Sequence, residues 1–141
     1  MLPKTNPKRG KLKIIFDSNA LFVPLQLKID IFEELKTLLN RNFEPILPKP
    51  IKDELEKIAI KGPPKLRKEA AYALKMAEKC TLVDLGEGFA GSPDDAIVKL
   101  AGEWKCPVFT NDRRLRKRLR DISVPVIYVR QKSRLEINGR W

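Results

Sequence analysis

Short apolar runs alternate along this chain with stretches of helical spacing, and that alternation narrows the fold more than any other feature. Residues 12–16, 45–47, 81–85, 107–110 and 124–129 read as strands, the clearest of them rich in Val and Ile and lacking strict polar–apolar alternation. Ile29, Phe32, Leu35, Leu38 and Leu39 recur at helical spacing and predict one helix over 27–40. Pro48 and Pro50 open a second helix to residue 60, which Gly62, Pro63 and Pro64 punctuate. Pro64 starts a third to residue 79, Ser92 and Pro93 a fourth to Trp104, and 112–121 forms a fifth. Apolar strands joined through helices make a parallel sheet covered on both faces. The expected fold class is therefore α/β: a single three-layer domain around a central, mostly parallel sheet of about five strands.

With 141 residues the chain has room for one such domain, assigned to 12–130. Residues 1–11 read as a flexible basic N-terminal segment and 131–141 as a basic C-terminal tail. No apolar run approaches the roughly 18 residues of a membrane span, and Lys4, Lys8 and Arg9 are not followed by a signal-peptide core. A cytoplasmic protein with no membrane partner is expected.

In an open parallel sheet the site lies beyond the carboxyl ends of the strands. Acids fall there or at the rim of a helix's buried face: Asp17 after the first strand, Glu54, Asp94, and Asp112 after Thr110 and Asn111. On a helical wheel with Ile51, Leu55 and Ile58 as the buried stripe, Glu54 lies roughly 65° from its centre, while Asp53 and Glu56 lie towards solvent. Asp94 is nearer the stripe of Ile97, Leu100, Ala101 and Trp104 than Asp95 is. Each acid also has an ordinary structural role open to it. Asp17 and Asp112 suit the caps of the turns they precede, and Ser92-Pro93-Asp94-Asp95 is a good helix start in its own right.

The net charge of +11, from 29 Lys and Arg against 18 Asp and Glu, makes gathered acids informative. Carboxylates brought together repel unless a cation holds them, and a hard ion such as Mg²⁺ prefers oxygen donors. The chain has no histidine, which removes Ser-His-Asp and Cys-His chemistry, and Cys80 and Cys106 lack the partners of a zinc site. Acid–base work must then rest on carboxylates or a metal site. The positive charge is also clustered. Arg113, Arg114, Arg116, Lys117, Arg118 and Arg120 place six cations within eight residues, and Arg130, Lys132, Arg134 and Arg140 extend them. A polyanionic partner, RNA, fits such a patch.

The same residues resemble the motifs of PIN-domain nucleases. Asp17-Ser18-Asn19 after a buried strand is similar to the first motif and Pro50 to Leu55, with Glu54, to the second. Asp94-x-x-Ile97-x-x-x-Ala101 is similar to the third, and Thr110-Asn111-Asp112 to the fourth. Within the family, Asp17-Ser18-Asn19, the Asp94-Asp95 pair and Val124-Pro125-Val126-Ile127-Tyr128 look most like the branch that processes ribosomal RNA. The resemblance implies a Mg²⁺ or Mn²⁺ site and endonucleolytic cleavage of RNA. Asp17, Glu54, Asp94 and Asp112 would be the catalytic and metal-holding acids, with Ser18, Asn19, Asp95, Thr110 and Asn111 supporting them. The expected partner is RNA, ribosomal precursor RNA first; ribosome-assembly proteins and a second copy of the chain are further partners. Two other readings stay open on sequence: the ribonuclease toxin of a toxin–antitoxin pair, and a non-catalytic RNA-binding factor of pre-ribosome assembly.

Overall fold

The computed structural model describes residues 11–139, among which there are six strands and six helices. The strands are β1 (Leu12–Phe16), β2 (Phe43–Pro48), β3 (Thr81–Val83), β4 (Val108–Phe109), β5 (Val126–Arg130) and β6 (Arg134–Asn138). They form one sheet in the order β3-β2-β1-β4-β5-β6, parallel throughout except for β5 against β6. The helices are α1 (Ser18–Leu27), α2 (Ile31–Leu39), α3 (Lys49–Lys61), α4 (Pro64–Ala77), α5 (Pro93–Trp104) and α6 (Arg113–Asp121).

The chain runs outward from β1 through β2 to β3, then returns across the sheet and continues through β4 to β5. Strand order therefore reverses between β1 and β4, the place where an open α/β sheet leaves a crevice at its carboxyl edge. Both strands are dry: Ile14, Ile15, Phe16, Val108 and Phe109 are all fully buried. Phe16 ties the layers together, stacking on Phe32 of α2 at 5.8 Å and on Phe43 at 6.5 Å, and meeting Phe109 edge-on at 5.4 Å.

Three features depart from the sequence reading. The helix expected over 27–40 is the later of two: α1 occupies 18–27 despite Pro24 in its interior. Between them Lys28 takes the left-handed conformation at φ 57°, and Asp30 caps α2 by accepting from the Glu33 N–H at 3.2 Å. A proline inside a helix loses one backbone hydrogen bond; burial of Ala20, Leu21 and Val23 offsets it. The second departure is β6, which lies within residues read as a tail. Its backbone pairs with β5 from Val126↔Asn138 to Arg130↔Arg134, so the sheet has six strands rather than five. Tight left-handed turns at Gln131 and Lys132 make that hairpin. The third is the length of β3 and β4, trimmed to Thr81–Val83 and Val108–Phe109. Residues 1–10 of the N-terminal segment and Arg140 lie outside the described residues.

Candidate active site

β1 delivers Asp17 to the crevice. Its backbone N–H donates to the Phe109 carbonyl at 3.1 Å, prolonging the β1–β4 ladder by one residue, and its side chain then turns to cap α1. Asp17 as a residue is 3% exposed. One oxygen accepts from the Ser18 N–H at 2.7 Å; the other accepts from the Thr110 hydroxyl at 2.7 Å and the Asn19 amide at 2.9 Å. Ser18 therefore serves through its backbone, whereas Asn19 and Thr110 serve through side chains.

β4 supplies the second half. The Thr110 N–H donates to the Ile127 carbonyl at 3.0 Å, which keeps the chain in the sheet for one residue beyond the strand. The Asn111 carboxamide oxygen then accepts from the Val129 N–H at 2.7 Å, standing in for a backbone partner that has turned away. The Asn111 N–H donates to the Asn19 side chain at 2.9 Å and the Asp112 N–H to the Thr110 hydroxyl at 3.1 Å. Asp112 caps α6, one oxygen accepting from Arg114 at 2.8 Å and Leu115 at 3.3 Å. Asp17 and Asp112 thus belong to one hydrogen-bonded network through Asn19, Thr110 and Asn111.

The remaining acids come from helices. Asp94 stands in the first turn of α5, where its neighbour Asp95 closes a capping box with Ser92 and binds Arg118 at 2.9 Å. Glu54 lies half-buried between Ile51 and Leu55 on α3. Electrostatics tie these groups together. Burial pushes the Asp17 carboxyl up from 3.8 to about 6; hydrogen bonds from Thr110 and Ser18 oppose that rise, and the charges of Asp94 and Glu54 add to it. Asp94 is also raised, first by burial and then by Asp112, with Arg118 opposing. Asp95 moves the other way, lowered by the hydrogen bonds from Ser92 and Arg118. Asp53 lies in an exposed pair with Lys49 at 3.0 Å, away from this group.

The donor set suits a hard divalent cation: oxygen atoms only, with Asp94 and Glu54 near enough to Asp17, and Asp112 to Asp94, for their charges to be felt. Among the described residues no three acidic side chains close on a single point. An ion at this edge would be held by one or two carboxylates, with water completing its shell. Cys80 and Cys106 are no alternative ligands, since burial pushes both thiols up to about 12 and keeps them neutral.

The cations of α6 divide by their angle to the buried Leu115 and Leu119. Arg116 and Arg118 flank that stripe, and both are occupied: the Arg116 guanidinium lies 4.0 Å from the centre of the Tyr128 ring, and Arg118 holds Asp95. Arg113, Arg114, Lys117 and Arg120 point outward, exposed and without an ion pair among the described residues. Of the outlying cations, Arg130 and Arg134 share Glu136 at 3.5 and 3.2 Å, and Lys132 stands exposed in the β5–β6 turn. Tyr128 stands in a motif the sequence shows, but its part in seating Arg116 is not legible there; with β6 unrecognised, nothing in the sequence pointed to Glu136.

A central parallel sheet with its order reversed between β1 and β4, and acids from four segments at that edge, is the framework of a PIN-like domain. The family model of that description matches residues 14–132, and the chain belongs to the PIN-domain family of ribonucleases. It is 36% identical over 132 residues to ribonuclease VapC4 of Methanocaldococcus jannaschii, covering 90% of this chain and 97% of that one. It is 34% identical over 119 residues to the rRNA-processing protein fcf1 of Schizosaccharomyces pombe, covering 82% of this chain and 58% of that one. The solved PIN domain endonuclease Utp24 superposes with a TM-score of 0.75 at 30% identity, over 91% of this chain and 92% of its own. Among the described residues no helix is long and apolar enough to cross a membrane.

Proposed function

We propose that the chain is a Mg²⁺- or Mn²⁺-dependent endoribonuclease acting on ribosomal precursor RNA. The observation that carries this reading is the placing of Asp17. It is a carboxylate at the end of the central strand, raised chiefly by its burial and further by the charges of Asp94 and Glu54, and aimed by an amide and a hydroxyl. A fold gains nothing from that repulsion alone, so a cation that relieves it explains the grouping. Bound there, the ion would act as a Lewis acid, stabilising negative charge that develops on the scissile phosphate.

The chain's own residues do the rest. Of Asp17, Glu54, Asp94 and Asp112, one or two would hold the ion directly and the others would reach it through water. Asn19, Thr110 and Asn111 fix the two aspartates at strand ends relative to each other, so little reorganisation is needed when the ion and substrate arrive. α6 starts at Asp112 and leads away from the acids, and its outward cations Arg113, Arg114, Lys117 and Arg120 would hold the phosphates of the flanking strand. Such contacts give affinity without reading sequence.

Similarity to Utp24 and fcf1 supports the ribosomal role. A second reading, the toxin of a toxin–antitoxin pair, is favoured by the match to VapC4 along 97% of that protein's length. Incubating the protein with ribosomal precursor RNA and Mg²⁺ or Mn²⁺, with products mapped, separates the two. Cleavage at a discrete precursor position supports processing. Growth arrest on expression, relieved by a small co-expressed neighbour, supports the toxin. No cleavage of any RNA under either metal overturns the nuclease reading and leaves a non-catalytic assembly factor.

The division of α6 into occupied and outward cations makes a further test. Arg114→Gln, Lys117→Gln and Arg120→Gln together are expected to flatten the slope of log affinity against log salt by roughly 1 to 2 in RNA binding measured in Ca²⁺. Arg118→Gln should change that slope little, because its charge already meets Asp95. An unaltered slope in the triple variant would return α6 to a plain solvated helix.

A further inference from the structure

A second, separate basic surface stands at the tip of the α3–α4 hairpin. Between Glu56 and Glu69 the chain carries Lys57, Lys61, Lys65, Arg67 and Lys68 and no acid. All five are exposed, and none makes an ion pair among the described residues. Away from the tip the chain pairs three helical lysines with acids one turn away, Lys36–Glu33, Lys49–Asp53 and Lys99–Glu103. At the tip it does the reverse. Lys57 and Lys61 are like charges four residues apart, Lys65 and Lys68 three apart, each pair mildly destabilising to a helix. Lys65 and Arg67 also stand in the first turn of α4, with Lys68 just after it, the end of a helix that disfavours cations. These charges weaken the elements that bear them, so their use lies outside the fold.

The tip is also tight. Only Gly62 and Pro63 connect the two helices, and a Cβ on Gly62 would come within 2.7 Å of the Ile58 carbonyl oxygen. Ile60 is 73% and Leu66 42% exposed beside the cations. The tip lies seven residues beyond Glu54 along α3, or roughly 10 Å at 1.5 Å per residue. In the sheet, α3 and α4 belong to the β2–β3 crossover and α6 to the β4–β5 crossover, on opposite sides of β1 and Asp17.

We infer that the α3–α4 tip is a second phosphate-binding surface for RNA, gripping the substrate on the far side of the acids from α6. This rests on RNA being the substrate, and it narrows the substrate class to RNA long or folded enough to bridge both surfaces. Charge complementarity selects RNA as the occupant. Phosphates would neutralise five unpaired cations, whereas an apolar protein partner would use Ile60 and Leu66 alone.

The test is a Lys61→Gln, Lys65→Gln, Lys68→Gln variant, with binding measured in Ca²⁺ to a single strand of about five nucleotides and to a stem-loop of about thirty. Three lost contacts should weaken stem-loop binding about tenfold or more and flatten its salt slope by roughly 2. Binding of the short strand should hold. An unchanged slope on the stem-loop overturns the inference, and so does an equal loss on both RNAs, which reports a diffuse field rather than a contact. Loss of stem-loop binding on Ile60→Ser with Leu66→Ser, beside a fully binding lysine variant, overturns it in favour of an apolar contact. Cleavage in Mg²⁺ or Mn²⁺ is scored separately. Wild type that binds the stem-loop but cuts nothing sinks the nuclease reading and leaves the tip contact standing. A lysine variant that binds and cuts as wild type does sinks only the tip.

Discussion

Asp94→Asn is expected to lower RNA cleavage on the order of 10² to 10³-fold, the loss of about 3–4 kcal/mol of transition-state stabilisation. Asp95→Asn, one residue along, should keep most of the activity. The two carboxylates leave α5 from its first turn in different directions. Asp94 faces Asp112 and the buried Asp17: its charge adds to the rise of the Asp17 carboxyl, and burial, then Asp112, raises its own. Asp95 turns back to the Ser92 N–H and out to Arg118. Its replacement weakens the capping box with Ser92, a loss in helix stability rather than in catalysis. Glu54→Gln against Asp53→Asn should show the same contrast on α3, because Asp53 is spent on Lys49 at the surface. Single-turnover cleavage of one RNA by the four variants measures this. An active Asp94 variant beside a dead Asp95 variant would show that the α5 register has been assigned to the wrong acid.

The second large effect is a pH dependence of stability lodged in Asp17. Its carboxyl titrates near 3.8 unfolded and about 6 folded, so the folded state binds the proton more tightly. Stability from this group is fully present below pH 3.8, declines through the window up to about 6, and is lost above it. A shift of that size corresponds to about 3 kcal/mol, or roughly 10 °C in melting temperature for a domain of this length. In EDTA, the difference in melting temperature between wild type and Asp17→Asn should therefore move by about that much between pH 4 and pH 7, against the wild type. Millimolar Mg²⁺ or Mn²⁺ at pH 7 should restore much of it to the wild type and little to Asp17→Asn with Asp94→Asn, since a ligand that binds only the folded state stabilises it. Parallel melting profiles for wild type and Asp17→Asn across that pH range, unaffected by metal, would mean that Asp17 feels neither its burial nor its neighbours.

Most of the domain's elements were legible because they depend on local signals. The Ser92-Pro93-Asp94-Asp95 start of α5 and the proline starts of α3 and α4 are written in neighbouring residues, and all three helices begin within a residue or two of where they are expected. α1 was not legible. Its Pro24 argues against a helix interior, and only the burial of Ala20, Leu21 and Val23 outweighs it. The break before α2 did have a signal, the Asp30-x-x-Glu33 pattern of a helix cap. β6 had almost none: of its five residues only Leu135 is buried, so its alternation is weak, and its pairing to β5 is a matter of backbone hydrogen bonds.

For the site, chemistry and tertiary structure divided the work. Sequence alone determined which groups are available: oxygen donors without histidine, acids at the ends of strands one and four, and a block of cations straight after Asp112. Residue type and order along the chain are enough for that. Only the folded chain decided how those groups are used. Pairing β1 with β4 brings Asp17 within 2.7 Å of a hydroxyl 93 residues away, and burial there lifts its pKa. Packing of α6 beside α5 and β5 commits Arg118 to Asp95 and Arg116 to Tyr128, leaving the other four cations of that helix to solvent. Desolvation and pairing are properties of distance in space, and distance in space is what a linear sequence does not contain.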